Sequence, residues 1–328
     1  FCTVLVLKRL PYLSSENKLD SMVSRESGFL FNNLVLLAAT FSVLFGTVFP
    51  ILSELFTGTN VTVGPSYFNM VEVPLGLILL FLTGAGPLLA YRKTSGKSLR
   101  KNFTMPVALA VISGPIFFLL GVHGFWPILA LVLCTFVLLT IVQEFHKGIR
   151  ARRKAFSENY LVSLMNLTRR HNRRYGGYIV HFAMVLVVLG ATGSAFVKEG
   201  QGVVGTGEDF QVGPYTLSVD EIRQSEADPN YWSGTVVVNV SRGGRVVGQV
   251  YPEKRFYYAS EQPTSEVAIH TTPREDLYVV FAGMNEDQSK AVVQAYVNPL
   301  VLWLWVGGVV MVLGTLVCLL PPPRGRTA

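Results

Sequence analysis

Six segments of this chain, 29–52, 74–91, 105–122, 127–143, 178–197 and 299–320, are apolar almost throughout, and each is long enough to cross a bilayer. Inside hydrocarbon every backbone N–H and C=O must be satisfied within its own segment, so runs of this length have to be α-helices. That constraint predicts a polytopic α-helical membrane protein. The composition agrees: half of the 328 residues are apolar, 15% are charged and the mean hydropathy is positive. A stub, Phe1-Cys-Thr-Val-Leu-Val-Leu7, ends at Lys8-Arg9 and has no basic region before it. It reads as the tail of a further span rather than a signal peptide, and the chain is expected to be part of a longer one.

The net charge of +7 would suggest an acidic partner if taken whole. Sorted by segment, it reports topology. The stretches 8–28, 92–104, 144–177 and 321–328 hold 20 of the 28 Lys and Arg, the loops 53–73 and 123–126 hold none, and 198–298 holds the other 8. Basic stretches alternate along the chain as the positive-inside rule requires, which predicts that they face the cytoplasm and that 198–298 faces the opposite side. Nucleic acid is not expected as a partner. Cys2, Cys134 and Cys318 all fall in apolar spans and form no C-x-x-C, so the chain offers neither a disulfide framework nor a dithiol couple.

Segment 198–298 is a different material. Thr235–Ser241, Gly243-Gly244 and Arg245–Tyr251 read as a β-hairpin with a Gly-Gly turn. Further strands are predicted at 214–222, 276–283 and 290–297. The spacing suggests an inserted, extracytoplasmic antiparallel β domain, either a small barrel or a sandwich. The predicted organisation is therefore helices over 1–197, with 144–177 as a cytoplasmic interfacial segment, the β domain over 198–298, and a last span with its tail over 299–328. Within 144–177, Ser157 is expected to cap a short helix that carries Tyr160, Leu161, Leu164, Met165 and Leu167 toward one side. Flanked by arginines, such a helix lies in the headgroup region.

Chemistry points to one residue above the rest. Of five histidines, His181 alone lies inside an unbroken apolar span, about one turn past the basic cluster Arg169–Arg174. An ionisable group in a span is costly and marks a site by default, and a neutral imidazole is a common axial ligand of haem iron. The competing reading is a histidine hydrogen-bonded to a neighbouring helix. His123 reads as an interfacial, water-facing residue beside Trp126, His146 and His171 as solvated members of basic borders, and His270 as structural near a strand end. Asn32 and Asn33 sit about one turn into a span that starts on the same side as the span of His181. They are candidates to orient His181 or to meet a haem propionate, with ordinary helix-to-helix hydrogen bonding as the alternative. No P-loop, dinucleotide motif, internal repeat or Ser/His/Asp arrangement is present.

Four strings resemble a known family across nearly the whole chain: Ser24-Arg-Glu-Ser-Gly-Phe-Leu-Phe-Asn-Asn33, Val63-Gly-Pro-Ser-Tyr-Phe-Asn69, Gly84-Ala-Gly-Pro87 and Tyr251-Pro-Glu-Lys-Arg-Phe-Tyr257. Their order and joint spacing resemble the C-terminal half of the CcmF family, the haem lyase component of cytochrome c maturation (system I), whose relative NrfE has the same layout. The resemblance implies a multi-pass protein of the bacterial inner membrane with 198–298 in the periplasm. It implies a b-type haem held in the membrane by two histidines from different spans. His181 matches the second by its position, and the first belongs to the half not represented here. It further implies partners: the haem chaperone CcmE, a CcmH-type thiol-handling subunit, apocytochrome c and the quinol pool. The family's Trp-rich WWD segment, which presents the substrate haem, has no counterpart, since Trp126, Trp232, Trp303 and Trp305 are scattered. The 328 residues by themselves are thus expected to be inactive as a lyase. A non-catalytic scaffold with a structural His181 is the alternative. A transporter is disfavoured because the spans hold few further ionisable groups and no broken pair in matching halves.

Overall fold

A computed structural model describes residues 1–13 and 21–321 of the chain. The basic residues of 14–20 and 322–328 therefore lie outside the described residues. Six helices among those described are long and apolar enough to cross a membrane. The chain forms two compact units, residues 1–175 and 176–320.

The first unit is helical. A short helix α1 (Cys2–Leu13) precedes α2 (Arg25–Thr57), α3 (Pro65–Ala85), α4 (Gly96–Leu119), α5 (Phe125–Phe156) and α6 (Tyr160–Arg170). Several helices run well past the apolar segments that announce them. Helix α3 starts at Pro65, nine residues before the predicted span, because Gly64-Pro65 supplies an extended residue followed by a proline at the first helical position. Helix α5 continues through Lys147–Lys154 to Phe156, since charged residues end a hydrophobic run without ending a helix. Ser157 does not begin the next helix. It closes α5 in the left-handed region (φ 51°), and Asn159 caps α6 by accepting the Val162 N–H at 2.9 Å. The proposed cap thus moves two residues, to a side chain whose carboxamide oxygen suits the same task.

Packing in this unit is set by close approach. Phe136 of α5 stacks on Phe81 of α3 (5.8 Å between centroids) and lies over Gly84, where a Cβ would come within 2.7 Å of its ring. Gly46 of α2 likewise accommodates Phe68 and Tyr67 of α3. Two of the strings that resemble the family, 24–33 and 84–87, meet in space. Arg25 donates to the Pro87 carbonyl from its guanidinium (3.2 Å), and to the Ala90 carbonyl from its backbone N–H (2.9 Å). These strings are joints between helices.

The second unit contains α7 from Gly176 onward, in a helix spanning Asn172–Thr192, then ten strands and α8 (Val301–Leu319). Strands β1 (Lys198–Val204), β10 (Ala291–Pro299), β9 (Glu275–Met284) and β8 (Ala268–Thr271) form one antiparallel sheet in that order. The other sheet runs β2 (Asp209–Val212), β3 (Tyr215–Asp228), β4 (Tyr231–Arg242), β6 (Glu253–Tyr257) and β7 (Gln262–Glu266), with β5 (Arg245–Val250) paired to β4. Alternate residues of β9, β10, β3 and β4 fill the space between the sheets, among them Leu217, Val236, Val238, Val279 and Val293, all fully buried. The predicted hairpin is present as β4 and β5, and both turn glycines have positive φ (56° and 77°), as its two-residue turn requires. The short strands β1, β2 and β7 escaped the sequence reading, because runs of four to seven residues that are short or rich in Lys, Glu, Gln and Ser carry little hydrophobic alternation.

Candidate functional site

His181 is placed by a helix pair whose contacts are dictated by glycine. Gly176, Val180, Ala183, Val187 and Gly190 recur along α7, and each meets α8 at a small residue or at backbone. A Cβ on Gly307 would lie 3.0 Å from the Ala183 carbonyl oxygen and 2.8 Å from a Val187 methyl. One on Gly314 would lie 3.0 Å from the Val180 N, and one on Gly190 would lie 2.8 Å from the Leu304 N. Small residues let the two backbones approach closely, which is how helices associate where lipid competes for apolar contact. At about 100° per residue, His181 lies roughly 140° around α7 from the centre of that face. The seam fixes α7 and leaves the imidazole on its other side.

The imidazole is half-buried, and its nearest aromatic neighbour is the Tyr178 ring at 6.3 Å. Its Nδ1 is buried and has no hydrogen-bond partner among the described residues. A histidine serving as glue between helices should show that bond. A polar atom without one in a low-dielectric setting is costly, and a ligand or a second residue that engages the ring would remove the cost. The residue therefore fits an axial ligand, with one ring nitrogen toward iron and the other toward an orienting group.

The other histidines differ in kind. His123 is exposed in the α4–α5 turn and packs edge-on against Phe118 (5.3 Å), and His146 and His171 are exposed. His270 sits in β8 opposite Leu277, with its ring against Gly248 of β5, a packing position. Asn32 is half-buried and Asn33 exposed on α2, and neither side chain makes a hydrogen bond among the described residues. They belong to the first unit and His181 to the second. Among the described residues no three His, Cys, Asp or Glu gather in a way that could hold a metal ion.

The Tyr251–Tyr257 string is structural. Arg255 pairs with Glu253 (2.9 Å) and with Glu266 (3.6 Å), and its guanidinium lies over the Tyr231 ring, while Lys254 donates to the Ala282 carbonyl. Two acids unmarked in the sequence each carry a buried oxygen with no hydrogen-bond or ion-pair partner among the described residues: Glu72, inside α3, at Oε1, and Asp276, at the start of β9, at Oδ1. Burial pushes the Asp276 carboxyl above the ordinary aspartate range. A carboxylate inside the apolar run 70–83 is the signal that could have singled out Glu72.

Comparisons with known proteins agree with this architecture. The CcmF C-terminal β-sandwich matches residues 195–299. The cytochrome c-type biogenesis protein CycK of Rhizobium meliloti is 31% identical over 303 residues, which are 90% of this chain and 43% of that protein. The cytochrome c-type biogenesis protein CcmF of Haemophilus influenzae is 28% identical over 300 residues, 90% of this chain and 45% of its own length. A solved structure of cytochrome c heme lyase CcmF superposes with a TM-score of 0.74 at 27% identity, covering 92% of this chain and 46% of that one. The chain spans somewhat less than half the length of these relatives.

Proposed function

Since the chain belongs to the CcmF family and corresponds to its C-terminal half, we propose that it is the part of a cytochrome c haem lyase that contributes one axial imidazole, His181, to a b-type haem within the membrane. The observation that carries this reading is the buried, unpartnered Nδ1 of a histidine in an apolar helix. On the family resemblance, the second axial histidine is proposed to come from a span outside these 328 residues. When bound, such a bis-imidazole haem supplies a one-electron couple that keeps the substrate haem ferrous for thioether formation with the C-x-x-C-H thiols of apocytochrome c. The chain's own residues hold, orient and shield. His181 donates a ring nitrogen, and the α7–α8 seam fixes its helix. The thiols come from the apocytochrome, in keeping with a β domain that has no cysteine. CcmE, a CcmH-type subunit and the quinol pool are the proposed partners, in the bacterial inner membrane with 198–298 in the periplasm.

A visible spectrum of the assembled protein purified from membranes tests the reading. Low-spin b-type Soret and α bands are expected, and colourless protein would favour a scaffold. Topology supplies a separate check. A cysteine at Thr59 should be labelled from outside by an impermeant reagent, while one at Ser157 should stay protected until the membrane is opened. The motive is the absence of Lys and Arg in 53–73 against nine in 144–177. The reverse pattern would put 198–298 on the cytoplasmic side and end the proposal.

Asn32 and Asn33 are proposed to support the haem, by orienting His181 through its free ring nitrogen or by meeting a propionate. Replacing each with Leu should shift the midpoint potential and weaken haem retention in detergent, by about tenfold for the residue that makes the contact. Unchanged potential and occupancy in both variants would reduce these asparagines to helix packing.

A further inference from the structure

At the end of α5 a cleft of about 530 Å³ opens beside the turn into α6. His146, Arg150, Arg153 and Lys154 line it from α5, and the turn contributes Ser157 and Glu158. Residues 146, 150, 153 and 157 recur at three- and four-residue steps, so they form one stripe along the helix. The floor is apolar, since Ile149 is 2% exposed.

The charge of this cleft is unbalanced. Its acid, Glu158, is fully engaged: Arg152 holds it through two bonds of 2.7 and 2.8 Å, Asn166 donates at 3.0 Å, and Ser163 lies at 3.4 Å. The hydrogen bonds from Arg152 keep that carboxyl below the ordinary glutamate range, so it stays an anion already matched by its own cation. Among the described residues no carboxylate pairs with Arg150, Arg153 or Lys154. Arg153 makes one bond, from Nε to the Glu158 carbonyl at 3.4 Å. Cations are favoured in the last turn of a helix by its dipole, which accounts for Arg153 and Lys154. It does not account for Arg150 and His146, one and two turns further back.

Beside this cationic cleft the surface is apolar. Phe156 (57% exposed), Leu161 (69%) and Met165 (63%) project from the end of α5 and from α6. The Arg152 and Arg170 guanidiniums both lie over the Phe156 ring, at 4.8 and 5.9 Å. A polar hollow that wants a phosphate and a neighbouring surface that wants hydrocarbon describe an amphipathic anion. We infer that the α5–α6 cleft is a binding site for the headgroup of an anionic phospholipid, with the phosphate among Arg150, Arg153 and Lys154 and the acyl chains along Phe156, Leu161 and Met165. The site is independent of haem binding and goes beyond it.

The test uses the full chain in phosphatidylcholine vesicles containing a photoactivatable phosphatidylglycerol. Cross-links are mapped by peptide mass spectrometry and are expected between residues 146 and 165. Removing three charges at the cleft (Arg150→Gln, Arg153→Gln, Lys154→Gln) should lower the yield there at least about tenfold. Removing three at the start of α4 (Lys97→Gln, Arg100→Gln, Lys101→Gln) should leave it within about twofold. Equal losses in the two variants would reduce the effect to general surface charge and overturn the site. Cross-links mapped elsewhere in the unaltered protein would overturn it even if the cleft variant failed to fold. Competition by millimolar inorganic phosphate would overturn the lipid assignment in favour of a soluble phosphate ligand, and absence of competition is the expected result.

Discussion

His181→Ala should strip the proposed b-type haem from the assembled protein, with most of the Soret absorbance lost on purification. Replacing His123, His146, His171 or His270 should leave the spectrum largely intact. The difference follows from environment. Those four rings are exposed or packed at the edge of a strand, whereas the Nδ1 of His181 is buried and idle. Loss of an axial ligand opens a coordination position, and imidazole added to the His181→Ala protein should restore the low-spin spectrum. Retained haem with an unchanged α band would remove His181 from the coordination sphere. The controls matter because His146 and His171 lie in basic stretches, where a substitution could disturb assembly without touching the haem.

The second large effect is expected at the α7–α8 seam, where neighbouring glycines make matched pairs. A Cβ at Gly307 would meet Val187 at 2.8 Å and backbone atoms at 3.0 Å, while one at Gly308 meets nothing within 4 Å. Gly176 is blocked by the Cys318 sulfur (2.6 Å) and backbone (3.0 Å), and Gly177 is open. Gly307→Ala and Gly176→Ala should each destabilise by about 1–3 kcal/mol, because backbone cannot step aside as a side chain can. Gly308→Ala and Gly177→Ala should be neutral, or stabilising by up to about 1 kcal/mol through helix propensity. Midpoints of thermal unfolding in detergent decide this. Equal behaviour within either pair would mean that the helices are held apart at that level. If His181 depends on the seam, the blocked variants should also lose haem on prolonged dialysis, and the open ones should retain it.

The sequence was most legible where a single physical demand was strong. Membrane crossings follow from runs of apolar residues that no other structure can satisfy, and the Gly243-Gly244 hairpin follows from two positions that need positive φ. Helix ends were less legible, because α5 carries Lys147–Lys154 as one continuous helix while a hydropathy reading stops at the charges. The cap at Asn159 was displaced to Ser157 for a related reason. Both residues can cap, and the choice depends on the left-handed turn at Ser157, a backbone state that its residue type does not announce. His181 was visible as an ionisable residue in an apolar run, but its idle Nδ1 was not, since that depends on what fails to approach it. The seam glycines were invisible individually. Gly307 and Gly308 are identical letters, and only the positions of Ala183 and Val187 distinguish them.

The β domain enters and leaves through adjacent strands. β1 follows α7 and β10 precedes α8, and the two strands are hydrogen-bonded from Lys198↔Val297 to Val204↔Ala291. The exit is fastened further, since the Leu300 N–H donates to the Arg274 carbonyl (3.0 Å) and the Trp303 indole to the Pro273 carbonyl (3.0 Å). At the entry, Gly193 leaves no room for a side chain against the Pro299 carbonyl. In terms of chain entropy, a flexible connection of about a hundred residues would oppose the meeting of α7 and α8 by about 2.5 kcal/mol more than one of about five. Once folded, the domain removes that difference, because its two ends emerge side by side and join the helices like a short turn. Folding of the domain outside the membrane and pairing of the helices within it are thus coupled steps, and a lesion that unfolds the sandwich weakens the helix pair that carries His181 without touching a residue in it.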